Sequence, residues 1–419
     1  MHGRARQSHD PQSPGRGIAR RDFVIGGAAA LGLGGLPLSG VAQAASTPSG
    51  APAIRSLRRL GRTGLEMSDI SFGSSRTTDP AVARYAFERG VNYFDTAEGY
   101  KGGACEEALG VALAGHRDEV ILTSKVMTGA STSSQTMMRA LEGSLRRLRT
   151  DRVDIYMSHA VNDVARLRNE QWHAFVEQAK AQGKIRFSGL SGHGGRLVEC
   201  IDYALDHDLV DVILCAYNFG QDPSFYSRFT RSLDFIAMLP ELPRVIEKAK
   251  SQDVGVIAMK TLRGARLNDM RPYEAPGSTF SQAAFRWVLG NPSVSALVVS
   301  MKSREQIDEY LGASGATGLQ PGDKAMLRRY DAIASNELCL HGCNACESSC
   351  PVGVAISEVL RTRMYARSYG DIALAREDYA KLGNAASACV GCTAQGCVGA
   401  CPAELAVADL TRDTAQLLG

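Results

Sequence analysis

Eight short apolar runs recur through the middle of this chain, separated by stretches with a different periodicity. They are "DISFG" (69–73), "NYFDT" (92–96), "VILTSKV" (120–126), "DIYMS" (154–158), "IRFSGLS" (185–191), "DVILCAY" (211–217), "GVIAMKT" (255–261) and "SALVVS" (295–300). Between them apolar residues fall at helical spacing; from Thr136 to Leu148, for instance, Met137, Leu141, Leu145 and Leu148 share one face. Strands that alternate regularly with helices pair in parallel through right-handed crossovers, and eight such units close an α/β fold, a (β/α)8 TIM barrel. One stretch breaks the rhythm. From Asn218 to Arg244 the connection is long and aromatic, which suits either a lid or pocket wall on the catalytic face or a short helix packed on the barrel side.

The polar residues that close these runs carry the chemistry. Asp95 and Tyr100 follow the second run, Lys125 lies in the third and His159 follows the fourth. In a barrel of this kind the C-terminal strand ends surround one mouth, where the active site sits. A carboxylate that orients an ammonium, an ammonium that favours phenolate and so lowers the phenol's pKa, and an imidazole that holds a carbonyl oxygen make a site for protonating that oxygen while hydride arrives from elsewhere. Taken singly, a Tyr or His at a strand end is an ordinary structural residue. Four in register are a site.

At these residues the chain resembles the aldo-keto reductase family, whose Asp, Tyr, Lys and His tetrad matches Asp95, Tyr100, Lys125 and His159 in order. The likeness spans residues 55–335 and includes "LGRTGLEMSDISFG", "GKIRFSGLSGHG", "GVIAMKTL" and "VVSMKSREQIDEYL". It implies NADPH-dependent interconversion of a carbonyl and an alcohol, with NADH as the lesser choice, and a hairpin at "LRRLGRTGLEM" that plugs the barrel bottom. It also implies a cofactor site made by Ser191, Tyr217, Asn218, Lys260, Ser300, Lys302, Ser303 and Gln306. Tyr217 would stack on the nicotinamide, Ser191 would hold its carboxamide, and Lys302 with Ser303 would take the 2′-phosphate. The chain departs from the family pattern at Gly192, His193, Leu214, Gln306 and Tyr310.

Eight of the 11 cysteines follow residue 338, in two groups: Cys339, Cys343, Cys346 and Cys350, then Cys389, Cys392, Cys397 and Cys401. Each group ends in Cys-Pro. Close thiolate spacing closed by Cys-Pro suits two 4Fe-4S clusters, three cysteines of one group and the last of the other sharing each cluster, whereas structural zinc prefers paired C-x2-C and an exported protein could pair the same thiols as disulfides. The gap from Cys339 to Cys343 is one residue longer than the bacterial ferredoxin pattern, which makes Cys339 the least regular ligand. Residues 356–383 read as two helices. The segment 336–419 therefore resembles the α-helical ferredoxin module, which follows the barrel in an iron-sulphur branch of the aldo-keto reductases. Cys105, Cys200 and Cys215 are scattered and read as buried core.

The N-terminus adds a location. Arg20 and Arg21 open a short Gly/Ala-rich apolar stretch that ends in Ala42-Gln43-Ala44, which resembles a twin-arginine export signal (1–44) followed by a linker (45–54). That implies an exported, periplasmic protein and the twin-arginine translocation machinery as a partner. With 47 basic against 44 acidic residues the net charge is +3, which does not point to nucleic acid. The expected partners are a small carbonyl or alcohol substrate and a redox partner protein for the clusters. A competing expectation is an exported iron-sulphur electron-transfer protein whose barrel is a scaffold.

Overall fold

The computed structural model describes residues 50–222, 241–263, 270–274, 277–334 and 337–419. The leader and most of the aromatic connection between Asn218 and Arg244 lie outside the described residues. Residues Gly50–Gly419 form one compact unit.

All eight expected strands are present. After a hairpin of β1 (Leu57–Arg59) and β2 (Glu66–Ser68), the strands are β3 (Ile70–Gly73), β4 (Tyr93–Asp95), β5 (Ile121–Val126), β6 (Val153–Ser158), β7 (Ile185–Gly192), β8 (Val212–Ala216), β9 (Gly255–Met259) and β10 (Ala296–Ser300). The last eight close a parallel barrel in the order β10-β3-β4-β5-β6-β7-β8-β9. The helix read from Thr136 to Leu148 runs Ser134–Leu148 and buries Met137, Leu141, Leu145 and Leu148; Ser133 starts it by accepting a hydrogen bond from the Thr136 amide.

Two apolar layers follow from strand alternation. The interior is filled by Tyr93, Ile121, Ile155, Met157, Val212, Leu214, Ile257, Ala296 and Val298, together with Leu60 and Met67 of the hairpin. The hairpin therefore plugs the bottom. Gly61 makes that fit possible: its φ is +47°, and a Cβ there would run into the backbone of Val254 and Gly255 at the start of β9. The alternate strand residues, Phe94, Leu122, Tyr156, Ile213, Cys215 and Val256 among them, pack outward against the helices.

The C-terminal segment builds helices at Ile356–Arg367, Ile372–Ala380 and Val407–Leu418. These do not stand apart from the barrel. Val359, Leu360, Met364, Tyr365 and Val407 share one apolar cluster with Phe219, Phe280, Ala283 and Ala284 of the barrel. Polar ties add to it: Arg76 donates to Asp371 at 2.7 Å and to the Tyr369 carbonyl at 3.0 Å, and Glu358 accepts from Asn162 at 3.3 Å and from the Gly195 amide at 3.2 Å. The Gly194-Gly195 pair after β7 is explained by this docking. A Cβ on Gly194 would meet Asn162 and Glu358, and one on Gly195 would meet Ser357.

Candidate active site

Alternation decides which side chains reach the barrel mouth. Tyr93 and Asp95 share the inward parity of β4, and Ile121, Thr123 and Lys125 that of β5; the inward run Ile155, Met157 of β6 continues to His159. The Lys125 ammonium donates to Asp95 Oδ1 and to the Thr96 carbonyl, each at 2.6 Å, with both side chains buried. It stands 5.1 Å from the centre of the Tyr100 ring. That ring meets His159 edge to face with centres 5.5 Å apart. All four tetrad positions are thus brought together.

Their electrostatics differ from expectation in one respect. Burial disfavours both charges of the Asp95–Lys125 pair, raising the carboxyl and lowering the ammonium, while each partner opposes the other's shift. The Tyr100 phenol is pushed well above its ordinary value, by burial first and then by the charges of Asp95 and Tyr365. The expected lowering by Lys125 is therefore not what the site does: two of the three ammonium donors are spent on Asp95 and Thr96, and the nearest negative charge offsets the cation. Tyr100 keeps its proton at neutral pH. The His159 imidazole is lowered to about 3, by burial and then by the charges of Lys125 and Arg166, so it is neutral and can hydrogen-bond to an oxygen without delivering a net charge.

An open cleft runs across the mouth from Asp95 and Tyr100 of this tetrad; Lys125 and His159 stand behind them and are not among its lining residues. Asp95, Tyr100, Leu214, Met259 and Lys260 line one end, and Ser300, Lys302, Gln306 and Tyr310 the other; Arg76, Ser368 and Tyr369 cover it. Ser300 Oγ lies 2.8 Å from Ser75 Oγ, and Gln306 accepts from the Lys302 amide at 2.8 Å while donating to Tyr310 Oη at 2.8 Å. Ser303 caps the helix Arg304–Leu311 through the Gln306 amide at 3.3 Å.

Three assignments need correction. Tyr217 does not face the cleft: it continues the outward parity of Ile213 and Cys215, lies buried among the barrel-side helices 5.0 Å from Trp287, and accepts a hydrogen bond from Asn291 at 2.8 Å. Asn218 spends its side chain on the turn, donating to the Lys260 carbonyl at 3.1 Å and accepting from the Gly220 amide at 3.0 Å. Ser191 has the inward parity but sits beneath the cleft lining, where its Oγ accepts the Ala160 amide at 3.1 Å. Met259, inward on β9, and Leu214 occupy the cleft wall that Tyr217 was expected to provide. Arg76 and Tyr369 were missed altogether. Alternation would have excluded Tyr217; nothing local in the sequence marks Arg76 or Tyr369, which the C-terminal docking brings together.

The cysteines line two small cavities. One is walled by Cys339, Cys343, Cys346 and Cys401. The other is walled by Cys350, Cys389, Cys392 and Cys397. Each set combines three cysteines of one group with the last of the other. Among the described residues no three Cys, His, Asp or Glu side chains stand close enough to chelate a single metal ion. Cys105, Cys200 and Cys215 are buried and free, as read.

Residues 69–331 match the model of the aldo/keto reductase family, and the chain belongs to that family. It is 29% identical over 318 residues to an L-galactose dehydrogenase of Arabidopsis thaliana, covering 66% of this chain and 93% of that one. With a methylglyoxal reductase of Escherichia coli (strain K12) it shares 31% identity over 232 residues, 54% of this chain and 75% of the other. Among solved structures it is similar to an aldo/keto reductase from Klebsiella pneumoniae in complex with NADP and acetate, with a TM-score of 0.50 and 26% identity over 66% of this chain and 95% of that one. The protein is an oxidoreductase of the aldo/keto reductase type.

Proposed function

We propose that the protein interconverts a carbonyl compound and its alcohol with NADPH at the cleft above Asp95, Tyr100, Lys125 and His159. The observation that carries this is the convergence of a buried Asp–Lys pair, a protonated phenol and a neutral imidazole at one end of an open cleft whose other end carries Lys302. The residues fit the nucleotide at its phosphate end: Lys302, Ser300 and Gln306 offer a cation and hydrogen-bonding groups suited to a 2′-phosphate. At the nicotinamide end Met259 and Leu214 give an apolar wall, and Ser191, the expected carboxamide ligand, is not among the lining residues. Bound NADPH would supply hydride to the carbonyl carbon.

The chain's own residues do the rest. Tyr100 gives its proton to the carbonyl oxygen and regains one from solvent, so the product is the neutral alcohol. His159 donates a hydrogen bond that aims the oxygen at the phenol. Lys125, fixed by Asp95 and Thr96, stabilises the phenolate left after transfer, which is where a nearby cation counts most. In the opposite direction the same phenolate accepts the alcohol proton.

Residues 336–419 would act as a ferredoxin-like module that holds two 4Fe-4S clusters. Support comes from the two cavities, each walled by three cysteines of one group and the fourth of the other, which suits a cluster because its cysteine sulfurs lie farther apart than those around a single ion. Such clusters supply one-electron transfer or structural reinforcement. The export reading is carried in the same proposal: Arg20, Arg21 and the Ala42-Gln43-Ala44 motif point to the twin-arginine machinery, a periplasmic location and a redox partner there.

Tyr100→Phe tests the reading. It should abolish NADPH-dependent carbonyl reduction while leaving nucleotide affinity nearly intact, since only the hydroxyl transfers the proton. Reduction at the parent rate would refute the tetrad. Wild-type protein that carries iron and sulphide but binds no nucleotide would instead make the barrel a scaffold for electron transfer.

A further inference from the structure

Lys260 stands just past β9 at the catalytic end of the cleft, and its surroundings are unusual for a half-buried cation. Its backbone has φ of +54°, a conformation non-glycine residues seldom adopt. Asn218 holds that turn by donating to the Lys260 carbonyl at 3.1 Å. The ammonium donates to Tyr365 Oη at 3.2 Å and lies 4.7 Å from the Tyr365 ring centre and 5.4 Å from that of Tyr369. Those two rings stack with centres 5.4 Å apart. Both belong to the C-terminal segment.

No carboxylate neutralises this cation. Among the described residues Lys260 forms no ion pair, and Glu358 and Asp378 of the C-terminal segment are committed to Arg361 at 2.7 and 2.8 Å. Burial lowers the pKa of the Lys260 ammonium, but Tyr365 and Tyr369 outweigh it and hold the ammonium above its ordinary value. Tyr365 responds in kind: burial raises its phenol, yet Lys260 and Arg361 bring it below the usual range. The charge also reaches the tetrad, since Lys260 is among the groups that keep the His159 imidazole deprotonated. A preserved positive charge with only phenol partners, exposed to a cleft beside the proton donor, is an anion site.

We propose that Lys260, positioned by Tyr365 and Tyr369 of the C-terminal segment, recognises an anionic group on the substrate, so that the enzyme prefers carbonyl compounds bearing a carboxylate or phosphate near the carbonyl carbon. This rests on the reductase reading above. The C-terminal segment then completes the active site, whatever its cysteines hold. Lys260 makes the contact; Tyr365 and Tyr369 are positioning residues. The competing source of an anion is the pyrophosphate of the nucleotide, and the experiment separates the two.

Benzoylformate and methyl benzoylformate present closely similar ketones with and without negative charge. Wild-type protein should favour the acid over the ester at least tenfold in kcat/KM, and Lys260→Met should lower that ratio at least tenfold. Lys260→Arg should keep most of the preference, and Tyr365→Phe, which keeps the ring, should lower it about threefold through KM more than kcat. Calorimetry with benzoylformate on the nucleotide-loaded protein should show tenfold weaker binding in Lys260→Met. An unchanged ratio, with NADPH affinity falling instead, would assign Lys260 to the pyrophosphate and overturn the proposal; so would a wild type that prefers the ester. Absence of turnover with both ketones would fail the reductase reading, and the calorimetric difference would then decide the anion site by itself.

Discussion

Replacing Lys125 by Met leaves Asp95 as a buried carboxylate without its counter-ion, and the cost can be bounded from the site. The pair is buried, with a 2.6 Å bond, and Asp95 Oδ2 already lacks a partner. Removing one member of such a pair costs about 3–5 kcal/mol. The carboxyl can escape part of this by taking up a proton. With an unfolded pKa near 3.9, protonation costs about 5.6 kcal/mol at pH 8 but only about 1.5 kcal/mol at pH 5. The sign follows from the shift: burial raises the folded pKa of Asp95, so the stability tied to its protonated form is complete below the unfolded pKa and is lost as pH rises through the folded one. Urea unfolding of Lys125→Met should therefore show a deficit of about 3–5 kcal/mol at pH 8 that shrinks to about 1.5 kcal/mol at pH 5. Adding Asp95→Leu should recover most of the loss at pH 8 and flatten its pH dependence, because an apolar pair of similar volume is tolerated where a lone charge is not. A deficit equal at both pH values, or a double variant less stable than Lys125→Met, would refute the account of this pair.

Lys302→Ala should weaken NADPH tenfold or more by fluorescence titration and NADH less than twofold, since a charge-assisted contact worth about 1.5–3 kcal/mol exists only for the 2′-phosphate; equal losses would remove Lys302 from that phosphate. Anaerobically purified protein should hold about eight iron atoms, and Cys401→Ser should damage the cluster of the Cys339, Cys343 and Cys346 cavity; stoichiometric zinc without visible absorption would overturn the cluster proposal. Tyr217→Phe should cost about 1 kcal/mol through the lost Asn291 bond and leave nucleotide affinity unchanged; a tenfold loss of affinity would return Tyr217 to the cleft.

Much of this architecture was legible because barrel strands advertise themselves. Each apolar run was short and was followed by helical spacing, and the inward parity of Asp95, Lys125 and His159 sent all three to one mouth. The same parity rule, applied to β8, would have turned Tyr217 outward; the resemblance assigned it a role that its register forbids. The effect of Lys125 on Tyr100 was misjudged for another reason. Sequence names a cation near a phenol but cannot weigh burial and the Asp95 charge against it. Arg76, Lys260 and Tyr369 could not be connected at all, because Tyr365 and Tyr369 lie over a hundred residues from Lys260 and meet it only through tertiary packing.

The exchange of Cys350 and Cys401 between the two cysteine cavities has a consequence for proteolysis. Cutting the chain just before Cys401 does not trim a tail. It takes one wall from the first cavity with Cys401, and it takes Ala408, Thr411 and Arg412 from the second. It also removes Val407 and Leu418 from the apolar cluster shared with Phe280 of the barrel. A single nick would thus reach both thiol chambers and the ground beneath the reductase mouth together, so damage at this one spot should be read out by loss of the whole molecule rather than of one part.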